Sequence, residues 1–141
     1  MQPFDVIVVG KGNAALCAAI AARDETGARV AMLEAAAVDE SGGNSRFAGG
    51  MMRFVYNSVE DLRLLADISD DEANNTDWDT NTQDQYYDDL YRVTGFRTDP
   101  RLSEIMITQS LQAMVWLRSL GVRFVPNYRA ASAVVAGRRR F

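Results

Sequence analysis

Gly10-Lys11-Gly12-Asn13-Ala14-Ala15 fits the spacing G-x-G-x-x-G/A, with Ala15 in the third small-residue position. The first glycine permits a tight turn, and the second lets backbone approach a pyrophosphate with no side chain in the way. The third small residue lets a helix pack closely on a strand. A helix that starts at such a turn offers unpaired N–H groups and a partial positive charge to phosphates. Glu34 follows 24 residues after Gly10, where a carboxylate can accept hydrogen bonds from both ribose hydroxyls of an adenosine. An acid in that place disfavours a 2′-phosphate, so NADP is a poor candidate. The glycine spacing alone is a weak signal; flanking strands and a placed acid make it a specific one.

The surrounding sequence supplies those flanks. Phe4 to Val9 is a nearly continuous apolar run rich in β-branched residues, the pattern of a strand buried on both faces of a parallel sheet. Asn13 to Arg23 reads as an alanine-rich helix, broken by Thr26-Gly27, and Arg29 to Leu33 reads as a second strand ending at Glu34. Strand, glycine turn, helix and strand make a βαβ unit with a right-handed crossover. The fold class expected is α/β, a Rossmann-like but incomplete dinucleotide-binding βαβ domain followed by helices. Ala14, Ala15, Ala18, Ala19 and Ala22 form the small face for close packing, and Cys17 reads as a small buried residue among them.

Further along, Ser58 with Asp61 suggests a capped short helix to about Ala66, and residues 67–81 read as an exposed acidic loop. Thr82 with Gln85 is a second capping box, opening a helix to about Val93. Asp99-Pro100 starts a third helix, since Asp caps well and Pro is tolerated at the first position. Leu102, Ile105, Met106, Trp116, Leu117 and Leu120 recur near helical spacing along it until Gly121 closes it, and Val122 to Val125 suits a strand.

The segment Ser41-Gly42-Gly43-Asn44-Ser45-Arg46-Phe47-Ala48-Gly49-Gly50 discriminates between dinucleotides. A nicotinamide site has no need of a second glycine-dense loop directly after its ribose acid. A flavin site does, because backbone must pass close to both the pyrophosphate and the ribityl-isoalloxazine portion. Here the chain resembles the fumarate reductase/succinate dehydrogenase flavoprotein superfamily, and the strings GKGNAALCAA and GGNSRFAGGMMRF look most like the FAD-dependent tricarballylate dehydrogenases. The likeness covers roughly residues 4–128, including Thr98-Asp99-Pro100 and the stretch from Trp116 to Phe124.

The resemblance implies that Gly10, Gly12, Asn13, Ala14 and Ala15 hold the pyrophosphate of FAD, and that Glu34 and Ala35 meet the adenosine. It places Gly43, Asn44 and Ser45 along the phosphates and ribityl chain, and Ala48, Gly49 and Gly50 against the flavin ring. Some relatives attach FAD through a histidine; this chain has no histidine, so a non-covalent flavin is expected. The implied reaction is dehydrogenation of a C–C bond beside carboxylates, as from tricarballylate to cis-aconitate. Fumarate or a 3-ketosteroid is the alternative substrate, and a non-catalytic nucleotide-binding fragment the alternative class. The implied partners are a small-molecule carboxylate and an electron-accepting membrane or iron–sulfur protein. The groups that clamp carboxylates and move the proton come from later segments in this superfamily, so no residue here is assigned a catalytic role.

Composition sets the remaining bounds. With 141 residues, 48% hydrophobic and a net charge of −4, the chain has room for one small domain and is a poor nucleic-acid binder. Lys11 is the sole lysine and reads as solvent-facing, with a phosphate contact as the other option. The single cysteine allows no internal disulfide, no apolar run is long enough to span a bilayer, and a strand starting at residue 4 leaves no signal peptide. A cytoplasmic location is the expectation. Asp77, Asp79, Asn81, Gln83, Gln85 and Asp88 mimic the ligand spacing of a calcium loop, but Thr82 stands where the turn needs Gly and Asp88 replaces the bidentate Glu. A solvated loop running into a capped helix accounts for them, and no metal is expected. Trp78, Tyr86, Tyr87 and Tyr91 read as aromatics packed inward, with a substrate mouth as the other option. Residues 1–128 are taken as the amino-terminal part of the dinucleotide-binding domain. Residues 129–141, ending Arg138-Arg139-Arg140-Phe141, depart from the likeness; truncation or a frameshift is the expected origin, and a basic nucleic-acid tail has thin support.

Overall fold

A computed structural model describes residues 3–141 as a mixture of helices and short strands. The chain divides into two compact units, the first ending at Met51 and the second running Met52–Phe141.

In the first unit, strand β1 (Val6–Val9), helix α1 (Asn13–Thr26) and strand β2 (Val30–Leu33) follow one another. The strands pair in parallel, Val6 opposite Val30 and Val9 opposite Leu33. The pair is fixed at both ends. The Asp5 carboxylate accepts the Arg29 N–H at 2.8 Å, and the Gly10 N–H reaches the Leu33 carbonyl at 2.6 Å. Alanine's helix propensity carries α1, and Gly27 stops it in the left-handed region (φ 68°), donating its N–H to the Arg23 carbonyl.

Three expectations are corrected here. β1 is buried on one face only: Ile7 and Val9 are 61% and 81% exposed, because two strands and a single helix cover one side of the sheet and leave the other bare. The small face of α1 is narrower than the composition suggests. Ala19 is buried and Ala15 and Ala22 are half-buried, but Ala14 and Ala18 are exposed, since they fall off the i, i+4, i+7 line. Cys17 is half-buried rather than buried, with its thiol 3.8 Å from Asn13 Oδ1.

The second unit holds helices α2 (Val59–Arg63), α3 (Asp70–Asn75), α4 (Gln83–Thr94), α5 (Pro100–Thr108) and α6 (Ser110–Ser119). Its three short strands are β3 (Thr76–Asp77), β4 (Ala133–Val135) and β5 (Arg138–Arg140). The predicted capping box of α4 is complete: Thr82 Oγ1 accepts the Gln85 N–H, and Gln85 Oε1 accepts the Thr82 N–H at 2.6 Å. Asp99 Oδ1 accepts the N–H groups of Arg101 and Leu102, with Pro100 at the first position of α5.

Elsewhere this unit departs from expectation. Ser58 precedes α2 without a capping bond, and Asp61 instead accepts the Asn57 N–H at 2.8 Å. Residues 67–81 are not an exposed loop. Ser69 caps α3 by accepting the Glu72 N–H, the acids of its first turn suit the helix dipole, and Ile68, Thr76 and Trp78 are buried. The long third helix is two. Ser110 Oγ donates to the Ile107 carbonyl at 2.8 Å and accepts the Val55 N–H at 2.8 Å, and that buried linkage accompanies the break at Gln109. Residues 122–125 form no strand.

Strand order in the small sheet is β3-β5-β4, with β5 parallel to β3 and antiparallel to β4. The tail is therefore built into the unit's core of Ala66, Ile68 and Trp78. Phe141 stacks on Trp78 with centroids 5.0 Å apart and planes 6° apart. All three tail arginines are engaged: Arg140 with Asp77, Arg138 with the Asn74 carbonyl, and Arg139 with Ser132. The Tyr128 hydroxyl donates to Glu72. Burial, then that bond and the Glu72 charge, push the phenol up to about 12 against the opposing pull of Arg139. Among the described residues no helix is long and apolar enough to cross a membrane.

Candidate functional site

The first unit brings the two glycine segments and the acid together. Gly10 takes φ 109°, a conformation that side chains rarely adopt, and turns the chain from β1 into α1. Gly12 precedes α1 in extended conformation (φ −75°, ψ 175°) and offers no side chain to cap it. The Ala14 and Ala15 N–H groups precede the first intrahelical bond, from Leu16 N–H to the Gly12 carbonyl at 3.0 Å. No acidic residue occupies this first turn. This is donor chemistry suited to a phosphate.

The second glycine segment folds over that helix start. Gly42 (φ 110°) leads into a single 3₁₀ turn, Gly43–Phe47. Ser45 Oγ accepts the Asn13 N–H at 2.9 Å. A Cβ added to Gly12 would stand 3.5 Å from the Gly42 carbonyl oxygen and 3.7 Å from Ser45 Oγ, so the two loops approach to within one methyl group of each other. Asn44 lies exposed on the same turn. Ala48 closes it, donating its N–H to the Ser45 carbonyl at 3.3 Å, and Gly49 and Gly50 follow beside open space.

Glu34 stands at the end of β2 with Oε1 accepting the Ala36 N–H at 3.0 Å. That bond lowers its pKa most; partial desolvation opposes it, and the backbone N–H groups of Ala35, Gly42 and Lys11 add to the lowering. The carboxylate is thus fixed as an anion at the corner where the turn after β1, the end of β2 and the second loop converge. A carboxylate acceptor and unpaired backbone donors thus stand at the carboxyl ends of β2 and β1 in one βαβ unit, a set of groups that fits a dinucleotide.

Sequence reasoning singled out Gly10, Gly12, Glu34 and the second loop, which the fold brings near one another, but not how the loops are joined. Lys11 Nζ donates to Ser41 Oγ at 3.4 Å, and neither that contact nor the Ser45–Asn13 bond leaves a motif in the sequence. It also passed over Arg53, in the second unit. Arg53 donates to Asn81 Oδ1 (2.8 Å) and Asp89 (2.7 Å), lies over the Tyr86 ring, and lines a cleft of about 380 Å³ with Thr80, Asn81, Gln85, Asp88 and Asp89. These bonds occupy part of the calcium-like series: Asp77 pairs with Arg140, Asn81 with Arg53, and Gln85 with the α4 cap. The aromatics divide. Trp78 is core, Tyr87 and Tyr91 stack along α4 with Phe96, and Tyr86 faces Arg53.

Comparison with known proteins agrees with the dinucleotide chemistry. The FAD binding domain family model matches residues 5–140. Two curated relatives, both fumarate reductase (cytochrome) from Shewanella frigidimarina, one of them from strain NCIMB 400, are 26% identical over 117 residues. That alignment takes in 83% of this chain but only 18% and 17% of the relatives, so the chain spans less than a fifth of their length. No solved structure gives a significant match. The chain belongs to the FAD binding domain family, and FAD is the dinucleotide that this family membership indicates.

Proposed function

We propose that this chain is the FAD-binding portion of a cytoplasmic oxidoreductase that dehydrogenates a C–C bond beside carboxylates, as in the conversion of tricarballylate to cis-aconitate. The observation that carries this reading is the convergence of both glycine loops on the start of α1, with Ser45 Oγ on the Asn13 N–H and the Glu34 carboxylate at the adjoining corner. FAD, when bound, supplies a two-electron acceptor. Gly10, Gly12, Asn13, Ala14 and Ala15 surround its pyrophosphate, and Glu34 and Ala35 receive the adenosine. Gly43, Asn44 and Ser45 follow the phosphates and ribityl chain, and Ala48, Gly49 and Gly50 border the ring system. The fold class is read as Rossmann-like, on the strength of the parallel β1–β2 pair linked through α1. Without histidine in the chain, the flavin is held by non-covalent contacts.

A fumarate reductase-like activity is the second reading, and it is favoured by the two relatives, which are fumarate reductases. Either activity passes electrons to or from a partner, which we take to be a membrane or iron–sulfur carrier. The deciding experiment for the cofactor is isothermal titration of the chain with FAD and with NAD. FAD binding tighter than NAD is expected, because the loop from Gly42 to Gly50 has no use in a nicotinamide site. Equal affinity, or a preference for NAD, overturns the reading. For the substrate, a longer relative carrying these residues is assayed with tricarballylate, succinate and a 3-ketosteroid; the expected order puts tricarballylate first.

A further inference from the structure

Lys11 is the only lysine in the chain and sits between the two glycines of the first loop. Its ammonium crosses to the second loop and donates to Ser41 Oγ at 3.4 Å, thirty residues away, and the Ser41 hydroxyl in turn donates to the Val38 carbonyl at 3.0 Å. The main chain repeats the same junction on its other side. The backbone N–H groups of Lys11 and of Gly42, the residue after Ser41, both face the Glu34 carboxylate. A further step along, Ser45 holds the Asn13 N–H. Turn and loop are therefore joined by two side-chain bonds, Lys11 to Ser41 and Asn13 to Ser45, with the Lys11 and Gly42 N–H groups close to one carboxylate.

Residues 35–42 contain no helix or strand of their own, and Ser41 is held within its own loop only by the Val38 contact. We propose that Lys11 is a positioning residue for the dinucleotide: through Ser41 it latches the second loop onto the glycine turn, so that the adenosine corner is preformed before the cofactor arrives. Preformation removes the cost of ordering the loop during binding and so raises affinity without any contact to the ligand. The latch rests on the flavin reading for its consequence, but the loop geometry stands apart from it.

Two measurements test it on the whole 141-residue chain. The first is a double-mutant cycle in FAD affinity with Lys11→Met and Ser41→Ala. Each single change weakens FAD binding by about three- to tenfold, the range of one ordinary solvent-exposed hydrogen bond. The double variant is no weaker than either single, and Lys11→Arg restores most of the loss. Parent-like affinity in Lys11→Met, or effects that multiply in the double variant, overturns the latch. The second needs no cofactor: hydrogen exchange at the Ser41 and Gly42 amides is faster in Lys11→Met than in the parent, and unchanged exchange also overturns it. If the parent itself fails to bind FAD, the proposed function falls, and the exchange measurement still decides the latch.

Discussion

At the residue scale, the two glycines of the first loop differ in what they supply. Gly10 is required by its backbone, since φ 109° is strained for any side chain. Gly12 has ordinary dihedrals and is required by space alone. A methyl at Gly12 meets the Gly42 carbonyl and Ser45 Oγ at normal contact distance, whereas the two γ-carbons of valine reach beyond it into the gap. Gly12→Ala is thus expected to fold and to lose part of its flavin affinity, while Gly12→Val loses flavin binding altogether. Titration with FAD, alongside circular dichroism to confirm folding, separates the two; full binding by Gly12→Val places the pyrophosphate elsewhere. Glu34 gives a prediction in pH. Its carboxyl is held below the usual range, first by the Ala36 N–H, so the anion persists as acid is added. Its contribution is complete above the carboxylate's ordinary pKa and is lost only as pH falls through the lowered value. FAD affinity in the parent is expected to stay level down to that point and then drop. Glu34→Gln binds about tenfold more weakly at neutral pH and lacks the acid step; an unchanged step in the variant assigns it to another group.

At the scale of elements, local chemistry was legible and distant chemistry was not. The starts of α4 and α5 could be read because a cap is a contact between residues two or three apart, complete within Thr82–Gln85 and Asp99–Leu102. Asp99→Ala removes the acceptor of two N–H groups and is expected to cost about 1 kcal/mol, seen as a fall of roughly 4–8 °C in Tm for a unit of this size. No change in Tm would mean that α5 is held by its packing alone. The break at Gln109 was invisible because the Ser110 side chain that accompanies it bonds Val55, far back in the chain. The pairing of β3 with β5 was hidden for the same reason: a two-residue strand in an acidic stretch has no periodicity to read. In the site, the glycines and Glu34 carried a motif, while Lys11–Ser41 and Asn13–Ser45 rest on how one loop folds over another.

For the whole molecule, the balance of covered and uncovered apolar surface governs what the chain does alone. Ile7, Val9 and Leu33 lie bare on one sheet face, Leu102 and Ile105 are exposed on α5, and the buried core of the second unit is small. Exposed surface of that kind favours association. The purified chain is expected to bind a hydrophobic dye and to self-associate on warming. It also has no histidine, and we expect the groups that exchange a proton with substrate to lie outside it. Hydride transfer needs an aligned substrate as well as a proton acceptor, so no turnover of tricarballylate, succinate or a steroid is expected even with added FAD. Dye reduction above the rate of free flavin would show that the catalytic groups lie within these residues.

The order β3-β5-β4 has a consequence for how each copy is made. The central strand of this sheet is the last to be synthesised, and β3 has no partner until Arg139 and Arg140 exist. At about 5–20 residues per second, the ribosome takes roughly 3–12 s to travel from Thr76 to Arg139. Trp78, 7% exposed in the finished fold and stacked on Phe141, spends that interval without its aromatic neighbour. Each nascent chain therefore holds this indole for seconds against Ala66 and Ile68, with one aromatic face still uncovered.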